Sequence, residues 1–492
     1  MAVKEILIGG QDGIQVVMDA AMGNRHGMIA GATGTGKTIT LQILAEAFSH
    51  LGVPVFLADI KGDLSGIAKA GKPHIKITER IDKIQINDFD FRANPVVFWD
   101  IFSKQGHPAR TTISDLGPLL ISNMLELNDT QTGIIYSCFK IADDQGLLLL
   151  DLKDFRSMLI WMGNNAKELK SEYGNISASS IGAIQRRLLV LEEQGASHFF
   201  GEPAVQLEDF CRTDFSGNGV ISLLDATILT QKSPRLYAVF LLWLLSELFE
   251  TLPEIGDADK PKLVLFFDEA HLLFEQAPRV LIDKIEQIVR LIRSKGVGVY
   301  FISQSPMDIP EDILGQLGLK IQHALRAFTP KDKKVIKAVV ETFRSNPKLD
   351  VEKVIQELQT GEALVSVLNK DGSPTPVEKI LVRPPGSQMG PLSQDEREEI
   401  ISRSPFNNRY DEELDRESAY EILKKRAEQA SDEESQTNTR KRHRTKPSSS
   451  GRTRSRQSVG EAMLKSAARS IGSQIGRQII RGIMGSLLGG RR

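Results

Sequence analysis

Short runs of consecutive apolar residues alternate with amphipathic stretches along most of the chain up to Val382. The runs at His26–Gly31, Val53–Ala58, Gly219–Leu224, Lys262–Phe267 and Val299–Ser303 are too short for core helices. They are also too continuous for strands with one wet face. They therefore predict strands buried on both sides, the pattern of a mainly parallel sheet. Helical patterns at Thr38–Phe48, Pro234–Glu250 and 279–295 lie between them and would cover that sheet, which gives an α/β class. More β-type runs follow at Leu319–Phe328, Glu362–Leu368 and Val377–Val382, and Pro384-Pro385-Gly386 then predicts the end of the compact core.

Between Pro108 and Phe200 the pattern changes. ISDLGPLLISNMLEL, TGIIYSCFKIAD, DLKDFRSMLIWMG and AIQRRLLVLEEQ succeed one another without intervening strands, which predicts an all-helical insertion. The expected layout is a core of 1–107 and 201–385, an insertion of 108–200 and an acid-rich helical segment of 386–436. After these come a basic linker of 437–458, too polar to offset the entropy of ordering it, and an amphipathic helix of 459–492. In the last, Ile471, Ile475, Ile479, Ile483 and Leu487 recur every fourth residue.

Composition changes this picture in three places. The 492 residues, 41% hydrophobic and 25% charged, are ordinary for a folded chain, but the formal charge of −1 conceals a tail. From Thr437 to Arg492 fourteen Lys or Arg face one acid, a formal charge of +13 that would attract DNA or an anionic membrane surface. The two cysteines, Cys138 and Cys211, have no metal-ligand spacing with other Cys or His, so no structural metal is expected. The start of the chain lacks the pattern of a secretory signal, and the longest apolar stretch, Ala238–Phe249, is interrupted by Ser246 and Glu247. A cytoplasmic location follows, with peripheral attachment to the inner membrane through the tail as an option.

The candidate chemistry begins where the first buried run stops. Gly31, Ala32, Thr33, Gly34, Thr35, Gly36, Lys37 and Thr38 fit G-x-x-x-x-G-K-[ST], with an apolar run before and a helical pattern after. Such glycines let backbone amides wrap a phosphate, the lysine neutralises the β- and γ-phosphates, and the threonine ligates magnesium. ATP and Mg2+ are the cofactors expected. The run KLVLFF ends in Asp268 and Glu269, suited respectively to the magnesium shell and to the attacking water. His271 reads equally as a coupling residue or a hydrogen-bonded helix-start histidine. Gln304, at the tip of the run ending in Ser303, is placed to sense the γ-phosphate, against the plainer reading of a turn-stabilising amide. Asp59 closes another such run and suits a functional or a capping role. Arg326, then Arg293 and Arg290, are candidates for a positive charge lent to a neighbouring subunit.

NRHGMIAGATGTGKT, FLADIKGD, VLFFDEAH, RSKGVGVYFISQSPMDIP and QLGLKIQHALR together resemble the HerA/FtsK group of RecA-like ATPases. Within it the chain is similar to the bacterial YjgR-like proteins, which carry a HerA-type C-terminal ATPase domain. The resemblance covers residues 5 to 385. It implies a RecA-like P-loop NTPase sheet and a homo-oligomeric ring, often hexameric, that couples ATP hydrolysis to pulling DNA through a pore. In two respects the chain departs from the group: no β-barrel domain is expected ahead of the P-loop, and Ser305 stands where many relatives carry arginine. The functions in competition are a DNA motor, a protein-remodelling or secretion ATPase of the same fold, and a nucleotide-gated scaffold. The intact Lys37, Thr38, Asp268 and Glu269 argue against the last.

Overall fold

A computed structural model describes residues 5–256, 258–275, 279–326 and 329–429. Twelve strands form one sheet: β1 (Glu5–Gln11), β2 (Ile14–Asp19), β3 (Gly27–Ala30), β4 (Val55–Asp59), β5 (Val96–Asp100), β6 (His107–Pro108), β7 (Ile221–Asp225), β8 (Leu263–Phe267), β9 (Val297–Ser303), β10 (Leu319–Gln322), β11 (Glu362–Ser366) and β12 (Glu378–Val382). Their order is β2-β1-β12-β11-β10-β3-β9-β8-β4-β7-β5-β6. From β10 to β6 every neighbouring pair is parallel, whereas β2, β1, β12 and β11 form an antiparallel wing joined to β10.

The continuous apolar runs have the cause the sequence suggests. In β4, Val55 and Leu57 enter the core beneath the first helix, while Phe56 and Ala58 enter the core on the opposite face. β8 divides likewise, with Leu263, Leu265 and Phe267 on one face and Val264 and Phe266 on the other. One face is covered by helix Lys37–His50, through Leu41, Leu44, Ala45 and Phe48. Helices Pro234–Thr251 and Arg279–Ile292 cover the other. The α/β class and the all-helical insertion are present. Five helices, from Ile113–Met124 to Ala178–Glu193, lie between β6 and β7 with no strand among them.

Four features differ from the sequence reading. The hairpin β1–β2 and the strand β5 extend the sheet at either end. β10 stops at Gln322, because Gln322 and His323 turn the chain onto the P-loop. The chain also does not leave the core at Pro384–Gly386. Residues 386–423 run back across the sheet and the insertion: Arg397 pairs with Asp225 at 3.0 Å, Phe406 and Tyr410 stack on Trp99 at 5.3 and 5.4 Å, and the Ala419 amide donates to the Leu148 carbonyl. Two isolated aromatics thus turn an acidic segment into a strap. Within it only Gln394–Ser402 and 419–429 are helical. The basic linker and amphipathic helix expected over 437–492 lie outside the described residues.

Tyr410 is 1% exposed and its hydroxyl donates to the buried Asp209. Tyr410→Ala should therefore cost about 3–5 kcal/mol, the range for truncating a large buried aromatic. A marked fall in the thermal unfolding midpoint checks this; an unchanged midpoint would mean that the strap is not part of the core.

Candidate nucleotide-phosphate site

Four neighbouring parallel strands, β3, β9, β8 and β4, end at one edge of the sheet. The P-loop follows β3, Gln304 follows β9, Asp268 and Glu269 follow β8, and Lys61 and Asp63 follow β4. Ligands in open α/β sheets gather at this carboxyl edge because the strands deliver their loops there together.

The loop has the backbone an anion needs. Gly31 and Gly34 have φ of 151° and 77°, the left-handed region that disfavours side chains. A Cβ at Gly31 would also fall 2.5 Å from the Cβ of His323. Among the described residues the amides of Thr33 to Gly36 donate to no carbonyl. Helix Lys37–His50 starts on Gly36 without a side-chain cap, so its first amides also face outward. Lys37 is 5% exposed and folds back onto the carbonyls of Gly31 at 2.6 Å and Ala32 at 3.2 Å. Burial lowers its pKa, helped by the charge of Lys61. An unsatisfied nest of amides with a partly desolvated lysine inside it fits a phosphate group.

The carboxylates form the other half. Asp268 is 3% exposed, and burial pushes its pKa up to about 7. Glu269, 6% exposed, is nonetheless held below the ordinary carboxylate range, because Lys61 Nζ lies 2.5 Å from its Oε1. Its Oε2 has no hydrogen bond. His271 Nδ1 sits 3.3 Å from that oxygen but is not aligned to bond it. Glu269 also has φ of 44°, a local strain of about 1–3 kcal/mol of the kind that persists where surrounding contacts over-determine the backbone. Asp63 reaches the Thr38 hydroxyl and leaves its Oδ1 buried without a partner. No group of three or more His, Cys, Asp or Glu among the described residues forms a metal-holding cluster. Thr38 and Asp268 nevertheless offer the oxygen ligands of a magnesium ion that completes its shell with phosphate and water.

Other candidates separate. Gln304 is exposed at the tip of β9, between the P-loop and the Asp268–Glu269 tip, and its amide makes no hydrogen bond among the described residues. Asp59 is a capping carboxylate: it is fully buried and accepts from the amides of Gly62 at 2.7 Å and Leu64 at 3.0 Å. Arg326 donates to the carbonyls of Gln356 and Leu358, at the end of helix Val351–Glu357 in its own chain. Arg290 and Arg293 lie at the opposite, amino edge of the sheet, where they line a cavity of about 330 Å³ with Arg25 and Lys320.

Sequence reasoning passed over Lys61, Asp63 and His323. The first two lie in DIKGD, where Asp59 drew the attention. His323 Nδ1 faces the Glu362 carbonyl at 2.9 Å, which requires a proton on that nitrogen, and Nε2 meets the Thr40 hydroxyl at 2.8 Å. It thereby fastens the P-loop helix to β11. Gly361 completes the junction by donating to the Thr35 carbonyl at 2.9 Å.

A family model described as "Helicase HerA-like C-terminal" matches residues 4–492. The DNA double-strand break repair helicase HerA of Sulfolobus acidocaldarius is 22% identical over 351 residues, which cover 70% of this chain and 62% of that protein. The protein of the same name from Sulfurisphaera tokodaii is 23% identical over 374 residues, covering 73% and 65%. The chain thus spans less than two thirds of the length of either relative. Among solved structures, the bacterial conjugative coupling protein TrwBdeltaN70 superimposes with a TM-score of 0.51 at 15% identity, covering 79% of this chain and 92% of that one. That similarity is one of fold.

Burial lowers the pKa of His323 to about 4 from an ordinary 6.5. The native state therefore resists protonation that the unfolded chain accepts. The penalty is absent above pH 6.5, grows as pH falls and is complete below about 4, with a slope of at most ~1.4 kcal/mol per pH unit. His323→Gln keeps a polar side chain but cannot titrate. Its unfolding midpoint should drop less than the wild type's between about pH 7.5 and about pH 5; equal drops would contradict a neutral His323.

Proposed function

The chain belongs to the helicase HerA-like C-terminal family, and from that premise we propose that it is an ATP-hydrolysing motor, assembled as a homo-oligomeric ring and acting on DNA. The observation that carries this reading is the meeting of an amide-lined P-loop, a buried lysine and two adjacent carboxylates at neighbouring strand tips. Bound ATP with Mg2+ would supply the scissile phosphate bond and the metal charge that offsets its oxygens. The amides of Thr33 to Thr38 bind the phosphates, and Lys37 exchanges the carbonyls of Gly31 and Ala32 for phosphate oxygens. Thr38 and Asp268 hold the metal. Glu269 orients a water and takes its proton, with the unbonded Oε2 as the accepting atom. Gln304 stands where a change at the terminal phosphate would be felt.

The ring is supported by the two edges of the sheet. One binds phosphate; the other carries Arg25, Arg290, Arg293 and Lys320 around a cavity whose lining contains no acid. Complementary edges on one molecule can join head to tail, and such heterologous contacts close into a ring where the rotation between subunits permits. Arg293 and Arg290 join Arg326 as candidates for the charge lent to a neighbour, because they stand at the edge that would face it. A hexamer is the number the family resemblance implies. DNA is the substrate named for the two HerA relatives, and the +13 tail adds a salt-sensitive attraction to the same polyanion.

Magnesium-dependent ATP hydrolysis should fall about 10²–10⁴-fold in Glu269→Gln, the range for losing a positioned base. Binding should survive in that variant, whereas Lys37→Ala should lose binding as well. Full turnover in Glu269→Gln would refute the assignment. Duplex DNA should stimulate the wild type, and an ATPase indifferent to DNA but stimulated by a protein would move the reading to the remodelling class. Arg293→Ala should bind ATP yet turn over slowly, and mixing it with Lys37→Ala should restore part of the activity. Mixtures that remain dead although the subunits exchange would count against a charge lent across the interface.

A further inference from the structure

Lys61 has no part in the reading above, yet it makes the shortest contact to the water-activating group. Its place is fixed from three sides. β4 pairs with β8 in parallel, Ala58 against Phe267, so the turn after β4 stands beside the Asp268–Glu269 tip. The Asp59 carboxylate closes that turn through the amides of Gly62 and Leu64. The side chain then spans the gap between the two tips, with Nζ 2.5 Å from Glu269 Oε1.

At the other end Glu269 has little freedom except in its side chain. Its amide donates to Asp268 Oδ1 at 2.9 Å, the next amide, of Ala270, donates to the Ile302 carbonyl at 2.8 Å, and its φ is 44°. A backbone pinned in a strained conformation aims the carboxylate only roughly, since the side-chain torsions remain free to turn. One oxygen is tied to Lys61 and the other makes no hydrogen bond. Lys61 is 36% exposed at its side chain against 8% for Glu269, so the ammonium covers the carboxylate from the solvent side. An ion pair of this kind fixes one oxygen in direction and leaves the other to a water.

We propose that Lys61 is a positioning residue for Glu269, holding one carboxylate oxygen so that the other is presented to the attacking water. This rests on the hydrolytic reading, and the test separates the two. In Lys61→Met, kcat should fall about 10–100-fold, the scale on which a misplaced reacting group loses rate, while the Kd of a fluorescent ATP analogue stays within about threefold. Lys61→Arg should recover most of the rate. In a Glu269→Gln background, Lys61→Met should add no further loss, because the group it positions is already gone. In nucleotide-free protein, carbon-13 relaxation of the Glu269 side-chain carboxyl should report a more mobile carboxylate in Lys61→Met and a wild-type one in Lys61→Arg.

Three results would overturn the proposal: wild-type turnover in Lys61→Met while Glu269→Gln is inactive, the same fold-loss in both backgrounds, or nucleotide affinity falling in step with kcat. Should Glu269→Gln itself turn over normally, the hydrolytic reading fails instead. The relaxation experiment still decides whether Lys61 holds the carboxylate, and unchanged mobility in Lys61→Met would show that it does not.

Discussion

Two carboxylates at the end of a wholly dry strand are expensive to keep, and the site is arranged around that cost. β8 delivers Asp268 and Glu269 to a tip where each is nearly inaccessible. Burial works against the charge of both, and it pushes Asp268 up to about 7. Glu269 escapes because an ammonium group from the adjacent strand tip sits against it. Lys37 supplies the second positive charge. Asp63 adds a third carboxylate that feels both Lys61 and Glu269, so three acids face two ammonium groups in a confined space. A triphosphate entering this space brings more negative charge than one divalent cation offsets, so further positive charge has to come from elsewhere. Arg290 and Arg293 stand at the far edge of the same sheet, out of reach of this tip within one chain.

What the sequence made legible was whatever depends on local pattern. Buried parallel strands announce themselves because both faces are apolar, and the P-loop because its glycines and lysine occupy fixed positions. β1 was hidden for the opposite reason. Gly9 and Gly10 interrupt its apolar run, but a Cβ at Gly9 would fall 2.0 Å from the Leu381 carbonyl oxygen, so glycine is there to admit the neighbouring strand. The strap was hidden because Phe406 and Tyr410 stand alone among polar residues. Their reason is Trp99, some three hundred positions away in a strand that was itself missed. Lys61 belongs to the same class: its partner lies on the other side of the insertion in sequence and beside it only in the sheet.

These long-range contacts divide the molecule unevenly. The strap ties β5, β7 and the insertion together through Arg397–Asp225, Tyr410–Asp209 and the amide of Ala419, so that flank behaves as one body. The opposite flank reaches the P-loop directly. Gly361 donates to the Thr35 carbonyl, the Thr360 hydroxyl reaches the Gly34 carbonyl at 3.4 Å, and His323 joins Thr40 to the start of β11. A phosphate that draws Lys37 and the loop amides inward pulls on carbonyls that the antiparallel wing holds. The strap meets the P-loop helix as well, where the amides of Gly386 and Ser387 donate to the Glu46 carboxylate and Gln42 donates to the Gln388 carbonyl. Both flanks of the sheet are therefore fastened to the element that begins at Lys37, the wing at the loop itself and the strap further along the helix.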